Sequence, residues 1–579
     1  MESQPPRKCT VLVVGGGPAG SYCASALARE GIDTVLLEAE KFPRYHVGES
    51  MLPSIRHFMR FIGCDEKFDA HGFRIKRGAT FKLNSKPPGS TNFIAAGGPQ
   101  GYAYNVVRSE SDEILFRHAG ESGAHIYDGF KVNSVDFIPS GLPQSTDPEC
   151  VIPDPGRPTS VTWISKTGAS GVVSFDYLVD ASGRQGLMST KYLKNRKMNP
   201  GEQLQSIANW GYWTNGATYG IGTEQEGYPY FEALHDGSGW AWFIPLHNGQ
   251  VSVGVVRNQK VLAQMKRESG LDSKAIYVDT LKNNMGMRDL LSAATLVSDV
   301  KSASDWSYNA PAYASPYVRI AGDAGCFVDP FFSSGVHLAL NAGLSAATTI
   351  CASLKGQVSE LAAATWHSKK VAASYTRFLV VVSSALKQIL EGEEPVIADF
   401  DEQSFDRAFQ HFRPVIQGSV DVSVNLSKAE VMRTLNFCMG ALASNEVPGN
   451  KALLENMHSL AVGDSEDISD EKYRSVVKEA ETVLTAKQLD YLNSIRKNET
   501  LSTDEIMNLD STGFDVLDGC RLESQGTKNT RTTLTTINYS TFARITIWSN
   551  SQNASKAYTP DPNGDFDILS QSNPHGIDS

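Results

Sequence analysis

The sequence predicts an α/β fold in which a parallel sheet is followed by a β-rich middle region and a helical C-terminal region. Three observations carry this reading. The apolar run Thr10-Val-Leu-Val-Val14 feeds Gly15-Gly-Gly-Pro-Ala-Gly20, a helical stretch and a second apolar run, which is the pattern of a βαβ unit. Aromatic and β-branched residues become dense from about 205 to 257, as in a sheet. Ala372 to Leu390 has an apolar face at helical spacing and is interrupted by polar residues. With 579 residues the chain is too long for one ordinary core. The expected division is 1–204 with 296–360, then 205–295, then 361–524, then a polar tail at 525–579.

Composition narrows the function. A formal net charge of -11 without a useful basic run argues against a nucleic-acid partner. The start Met1-Glu-Ser-Gln-Pro-Pro-Arg-Lys-Cys9 lacks the apolar centre of a signal peptide, and no run of about 18 uninterrupted apolar residues suggests a membrane partner. The 8 cysteines form no Cys-x-x-Cys pair, so reduced thiols, no metal site and a cytoplasmic location are expected.

In chain order, the first crossover is the most specific signal. Gly15 suits the tight turn, Gly17 lets a pyrophosphate approach the backbone, and Gly20 lets helix and strand pack closely. The helix is expected from Ser21 to Glu30 and the second strand from Thr34 to Leu37. Glu38 follows it, eighteen residues past Gly20, where a carboxylate accepts ribose hydroxyls. Gly15, Gly16, Gly17, Ala19, Gly20 and Glu38 are therefore candidate dinucleotide-binding residues.

Phe73 to Leu83 reads as one strand, with Phe73, Ile75, Ala79 and Phe81 on the apolar face beside Arg77. Arg74, Lys76, Gly78 and Thr80 make the other face, which is either solvated or the lining of a cavity. Enclosure would strip Lys76 of proton affinity and leave a usable amine. Residues 84–104, rich in Gly, Pro and Ser, read as a loop, and 140–158 as an insertion between strands. Tyr177-Leu-Val-Asp-Ala-Ser-Gly183 supplies a middle strand and turn. In Gly239-Trp-Ala-Trp-Phe-Ile-Pro-Leu246, Trp240 and Trp242 share a strand face, and Pro245 ends the strand.

Val318-Arg-Ile320 reads as a strand end, Gly322-Asp323 as a turn, and Ser333-Ser334-Gly335 as the start of a helix rich in small residues. Free N–H groups and the positive end of the dipole make such a start an anion site. Helices are expected from about 362 and again at 471–497, a hairpin at 532–548, and disorder over roughly the last thirty residues.

The order Gly-x-Gly-x-x-Gly, Asp-Ala-Ser-Gly, Gly-Asp resembles the flavoprotein hydroxylase superfamily, whose fold is that of glutathione reductase and p-hydroxybenzoate hydroxylase. The resemblance implies FAD, with Asp323 reaching the ribityl chain, and Arg44, Glu49 and Arg108 at FAD-contacting positions. Within that frame Trp240, Trp242, Ile244 and Pro245 match the Trp-x-Trp-x-Ile-Pro motif of flavin-dependent halogenases. The resemblance spans roughly residues 8–440. Lys76 fits the essential lysine of that family. Asp329-Pro-Phe-Phe-Ser-Ser-Gly-Val336 fits its halide loop, implying Ser334 and Gly335 amides on chloride or bromide and Val336 on flavin. The Arg77-Gly-Ala-Thr-Phe-Lys82 context is most similar to fungal phenol halogenases of polyketide pathways. The glutamate that precedes the loop serine in tryptophan-type members is replaced by Phe332, which argues against tryptophan as substrate.

What the resemblance implies is a reduced FAD delivered by a separate flavin reductase, oxidation of chloride to hypochlorous acid, and relay through Lys76 to a phenolic small molecule. An aromatic hydroxylase on the same frame is the alternative. A non-catalytic nucleotide-frame binding module, as in prenyl-protein escort proteins, is the remote one.

Overall fold

The computed structural model describes residues 4–143, 151–199, 204–394, 396–397, 403–422, 428–442 and 517. They lie in one compact unit, Met1–Thr532. The helix expected at 471–497, the hairpin at 532–548 and the terminal segment fall outside the described residues.

A six-stranded sheet forms the base, in the order Ala314–Ser315, Val318–Ile320, Tyr177–Asp180, Val11–Val14, Thr34–Glu38, His125–Asp128. Every pairing is parallel except that of the first two strands. Val11, Leu12 and Val13 have no exposed surface, as a strand covered on both faces requires. The crossover helix runs Pro18–Arg29 and so begins inside the glycine segment, earlier than expected. Proline is pre-shaped for a first helical position, where no N–H partner is needed. A Cβ on Gly20 would sit 1.9 Å from the Gly15 carbonyl oxygen, and one on Gly343 would sit 2.6 Å from that of Ala19. Small residues thus let the crossover helix lie close against both the first turn and the helix Gly335–Leu354.

That second helix is long and apolar enough to cross a membrane by composition, but it is buried inside the protein. It packs on Glu360–Glu391, a 32-residue helix that includes the stretch expected at 372–390. Arg319 and Glu360 tie this helix to the sheet by a bidentate pair at 2.8 and 3.2 Å, both buried. Asp406–Ile416, Ser419–Val422 and Lys428–Leu442 complete the described helical region.

The second large sheet has eight strands. Its main path runs Thr295–Leu296, Gln205–Thr214, Gln250–Asn258, Gly239–Pro245, Tyr230–Ala233, Gly78–Lys82, Gly89–Asn92, with Lys301–Trp306 added on Gln205–Thr214. It therefore draws strands from outside the 205–295 range. A three-stranded antiparallel sheet, Phe130–Ile138, Arg157–Ser165 and Ser170–Ser174, flanks the base; residues 144–150 of the expected insertion lie outside the described residues.

Two expectations are corrected. Residues 84–104 are not a loop: they form the strand Gly89–Asn92, a helical turn Phe93–Gly97 and the strand Ala103–Asn105. Phe73–Leu83 is not one strand but two, broken at Arg77. Arg74–Lys76 pairs with Ala103–Asn105, whereas Gly78–Lys82 pairs with Gly89–Asn92 and Tyr230–Ala233. Because the halves belong to different sheets, the alternation does not carry through. Ile75 is 42% exposed, whereas Lys76 at 2% and Thr80 at 0% are buried.

Candidate functional site

A cavity of about 520 Å³ opens where the glycine crossover, the tryptophan strand and the start of the helix Gly335–Leu354 meet. Gly15, Gly17, Ala19, Glu38, Arg44 and Arg108 line its nucleotide end. Glu49, Trp240, Trp242, Ile244, Asp323, Gly335 and Val336 line the rest. Gly16, Gly20, Lys76, Pro245 and Ser334 stand outside this lining. Gly15 has a φ of 104°, and a Cβ there would sit 2.2 Å from the Ala181 carbonyl oxygen, so the turn admits only glycine.

The Gly16 N–H donates to Glu38 Oε2 at 2.6 Å, and the Glu40 N–H to Oε1 at 2.9 Å, which fixes the carboxylate beside the loop. Arg44 and Arg108 converge on buried Asp112: Arg44 Nη1 at 3.1 Å, and Arg108 in bidentate fashion at 2.9 and 3.0 Å. Arg108 Nη1 also donates to the Val47 carbonyl at 2.8 Å. The two guanidiniums line the wall beside the glycine loop, where a phosphate would be met. Asp323 is half-buried in the cavity wall, and desolvation there raises its carboxyl above the ordinary range despite three nearby arginines.

At the opposite end, Pro330–Phe332 forms a short 3-10 turn capped by Asp329, whose Oδ1 accepts from the Phe331 N–H at 3.0 Å. Ser333 then takes a φ of 57°, which swings the chain into the helix that starts at Gly335. Ser334 is the N-cap residue, yet its side chain caps nothing. Its Oγ is buried and has no hydrogen-bond partner among the described residues. Space opposite the Gly335 Cα is open. Trp240 Nε1 is a second buried donor without a partner among the described residues. These two donors, both beside the same cavity, leave hydrogen-bonding capacity for an occupant. The glycine cradle, the acid beside it and this dipolar helix start fit a flavin dinucleotide and a halide.

Trp240 and Trp242 project from the same face of the strand Gly239–Pro245 with ring centroids 5.7 Å apart. A hydrogen-bonded chain that the sequence did not disclose fixes Trp242. Its Nε1 donates to Ser252 Oγ at 3.1 Å, and Ser252 Oγ donates to Glu49 Oε2 at 3.1 Å. Tyr212 OH donates to Glu49 Oε1 at 2.6 Å and lies 3.1 Å from Tyr45 OH. Burial raises the Glu49 carboxyl, opposed by these two hydroxyl donors and by Arg108. Glu49 is thus held by the tryptophan sheet and borders the cavity at the same time.

Lys76 lies behind Ser50. Its Nζ donates to Ser50 Oγ at 2.8 Å and to the Met51 carbonyl at 2.9 Å, and stands 5.1 Å from the Phe93 ring centre. Desolvation alone brings its amine from 10.5 down to about 7. No carboxylate among the described residues pairs with it. Ser50 directly follows Glu49 in the chain, but only the fold brings it to the lysine.

The helix start has its own anchor. His337, next to Val336, bridges Ser54 Oγ at 2.7 Å and Asp421 Oδ2 at 3.0 Å, and Asp421 also receives Arg377 Nη1 at 3.1 Å. Phe332 does not line the cavity. It is 2% exposed and packs edge-on against Phe81, Phe331, Phe409 and Phe412.

Comparison with known proteins bears on this geometry. The profile of the family described as tryptophan halogenase matches residues 10–106 and 98–389. Flavin-dependent halogenase ascD of Acremonium egyptiacum is 53% identical over 527 residues, covering 89% of this chain and 90% of the relative. Sulochrin halogenase gedL of Aspergillus terreus is 50% identical over 517 residues, with 89% and 91% covered. Among solved structures, the myxobacterial chondrochloren halogenase CndH, a variant of the FAD-dependent halogenases, superposes with a TM-score of 0.58 at 26% identity, over 76% of this chain and 99% of that one. Agreement of this extent, in sequence and in fold, establishes the family: the chain belongs to the flavin-dependent halogenases and is an enzyme of that kind.

Proposed function

We propose that the protein halogenates an electron-rich phenol of polyketide type, and that Lys76 carries the oxidised halogen to the ring. The observation that supports this most is the enclosed amine itself. A lysine pulled to about 7 is about half free base near neutral pH, whereas a solvated lysine is almost wholly charged there. The relative named for sulochrin supports a small-molecule aromatic substrate.

FAD, when bound and reduced, supplies with dioxygen the oxidising equivalents that turn halide into hypohalous acid. Gly15, Gly16, Gly17, Ala19, Gly20 and Glu38 would hold its adenosine and pyrophosphate side, with Arg44 and Arg108 along the phosphates. Glu49, Asp323 and Val336 would border the ring system. The backbone N–H groups of Ser334 and Gly335, at the positive end of a 20-residue helix, would hold the halide. Trp240 and Trp242, kept in place with Ile244 and Pro245, fill the space next to this end and keep the phenol off the flavin.

At Lys76 the balance is simple. The neutral amine attacks hypochlorous acid to give an N-chloroamine and water. The phenol ring takes the chlorine as an electrophile ortho or para to its hydroxyl, loses a proton, and returns the amine. Ser50 Oγ and the Met51 carbonyl accept hydrogen bonds from two of the amine's N–H groups and so orient it. A phenol, partly deprotonated, is activated by its own oxygen and needs no carboxylate beside the lysine. A cytoplasmic setting with a separate flavin reductase completes the proposal.

Incubation with FAD, a flavin reductase, NADH, bromide and a resorcylic phenol tests it by mass spectrometry. Gain of bromine supports the reading. Gain of oxygen in its place overturns it in favour of a hydroxylase. A clear preference for tryptophan under identical conditions overturns the phenol assignment and leaves halogenation standing.

A further inference from the structure

Three side chains from distant parts of the sequence converge outside the cavity. His71 ends the helix Asp65–His71, Glu110 lies in the first turn of the helix Arg108–Glu121, and His247 follows the strand Gly239–Pro245. Glu110 Oε2 stands 2.8 Å from His71 Nε2 and 3.1 Å from His247 Nε2, and the three donor atoms lie within 4.8 Å of one another. Phe73 backs both imidazoles, with ring centres 4.3 Å from His71 and 5.4 Å from His247. His247 Nδ1 is buried with no hydrogen-bond partner among the described residues, so Nε2 is the nitrogen offered to the cluster. The side chains keep 32%, 36% and 20% of their surface, which leaves the far side open to water.

We propose that His71, Glu110 and His247 bind one divalent transition-metal ion, zinc being the best fit. Two imidazole nitrogens and one carboxylate oxygen are the donors that zinc and its neighbours take, whereas calcium and magnesium prefer oxygen alone. Ligand bonds of about 2.0–2.1 Å in tetrahedral geometry place donor atoms roughly 3.3 Å apart. The two carboxylate–imidazole spacings, 2.8 and 3.1 Å, need to open by only a few tenths of an ångström, and the two imidazole nitrogens already lie within 4.8 Å of each other, so side-chain adjustment suffices. Solvent supplies the remaining position. The ion would link the end of the tryptophan strand, the segment leading to Lys76 and the helix that begins with Arg108. It stands apart from the flavin and halide chemistry and acts as a brace.

The full-length protein, freed of any histidine tag and stripped with chelator, is titrated with zinc chloride by calorimetry and with cobalt(II) by absorption. The expected result is one ion per chain, cobalt d–d bands without thiolate charge transfer, and a zinc-dependent rise in Tm. Glu110→Gln and His247→Ala each weaken binding by more than about 100-fold, beyond the roughly 10–100-fold effect of an outer-sphere change, and abolish the Tm rise, while FAD binding confirms that both variants are folded. Absence of saturable binding by either ion overturns the proposal. So does binding of wild-type strength in either variant, which would mean that Glu110 merely accepts hydrogen bonds from two histidines.

Discussion

Replacing Lys76 by methionine keeps the length of the side chain and removes its titratable amine. Burial takes that amine from 10.5 to about 7. At about 1.36 kcal/mol per unit, the folded state carries a penalty of roughly 5 kcal/mol at pH values below the folded value. Because the folded value is the lower one, the unfolded chain binds more protons between pH 7 and 10.5. Stability therefore rises with pH across that window, and the penalty fades as 10.5 is approached. Methionine carries no such penalty, but it leaves Ser50 Oγ and the Met51 carbonyl without their donor, at about 1–3 kcal/mol independent of pH. The stability of Lys76→Met relative to wild type should thus be most favourable near pH 6 and fall by roughly 4 kcal/mol by pH 10. Urea unfolding followed by tryptophan fluorescence, run on both proteins at matched pH values, measures the difference. A difference flat with pH would refute the claim that the amine is desolvated.

Further outcomes follow from other parts of the molecule. Gly20→Ala should abolish FAD binding in a flavin titration, because its Cβ would overlap the Gly15 carbonyl, with overpacking of about 1–3 kcal/mol or more. Glu360→Ala strands the buried Arg319 guanidinium and should lower stability by about 3–5 kcal/mol in chemical denaturation. Glu49→Ala removes the carboxylate acceptor of the Tyr212 and Ser252 hydroxyls at about 1–3 kcal/mol. Glu49→Gln still accepts from Tyr212 and should retain most of that stability.

Local spacing made the crossover legible: Gly15, Gly17, Gly20 and Glu38 fall within one βαβ unit, where short-range sterics dictate the tight turn at Gly15 and the close packing at Gly20. The same holds for Trp240 and Trp242 on one strand face and for the helix start at Ser334-Gly335. What stayed hidden depends on contacts between distant segments. Phe73–Leu83 alternates well enough to pass for one strand, because nothing local shows that its halves join different sheets. Residues 84–104 look like a loop by composition. Yet Gly89 is a glycine because the Phe409 ring packs there, 2.5 Å from where its Cβ would lie. No sequence signal ties Asp421 to His337, or Tyr212 and Ser252 to Glu49. The enclosure of Lys76 likewise became visible only once Ser50, Met51 and Phe93 surrounded it.

The central claim is that the halogen reaches the phenol through Lys76 after halide oxidation is complete. Wild type and Lys76→Ala are compared with FAD, reductase, NADH, bromide and one phenol, reading brominated phenol and hypobromous acid trapped by a scavenger in the same samples. The account predicts that the variant binds FAD and releases trappable hypobromous acid at the wild-type rate while brominated phenol falls by at least about 100-fold, the scale on which a positioned acid–base or nucleophilic group contributes. Bromination by Lys76→Ala at a substantial fraction of the wild-type rate would contradict it.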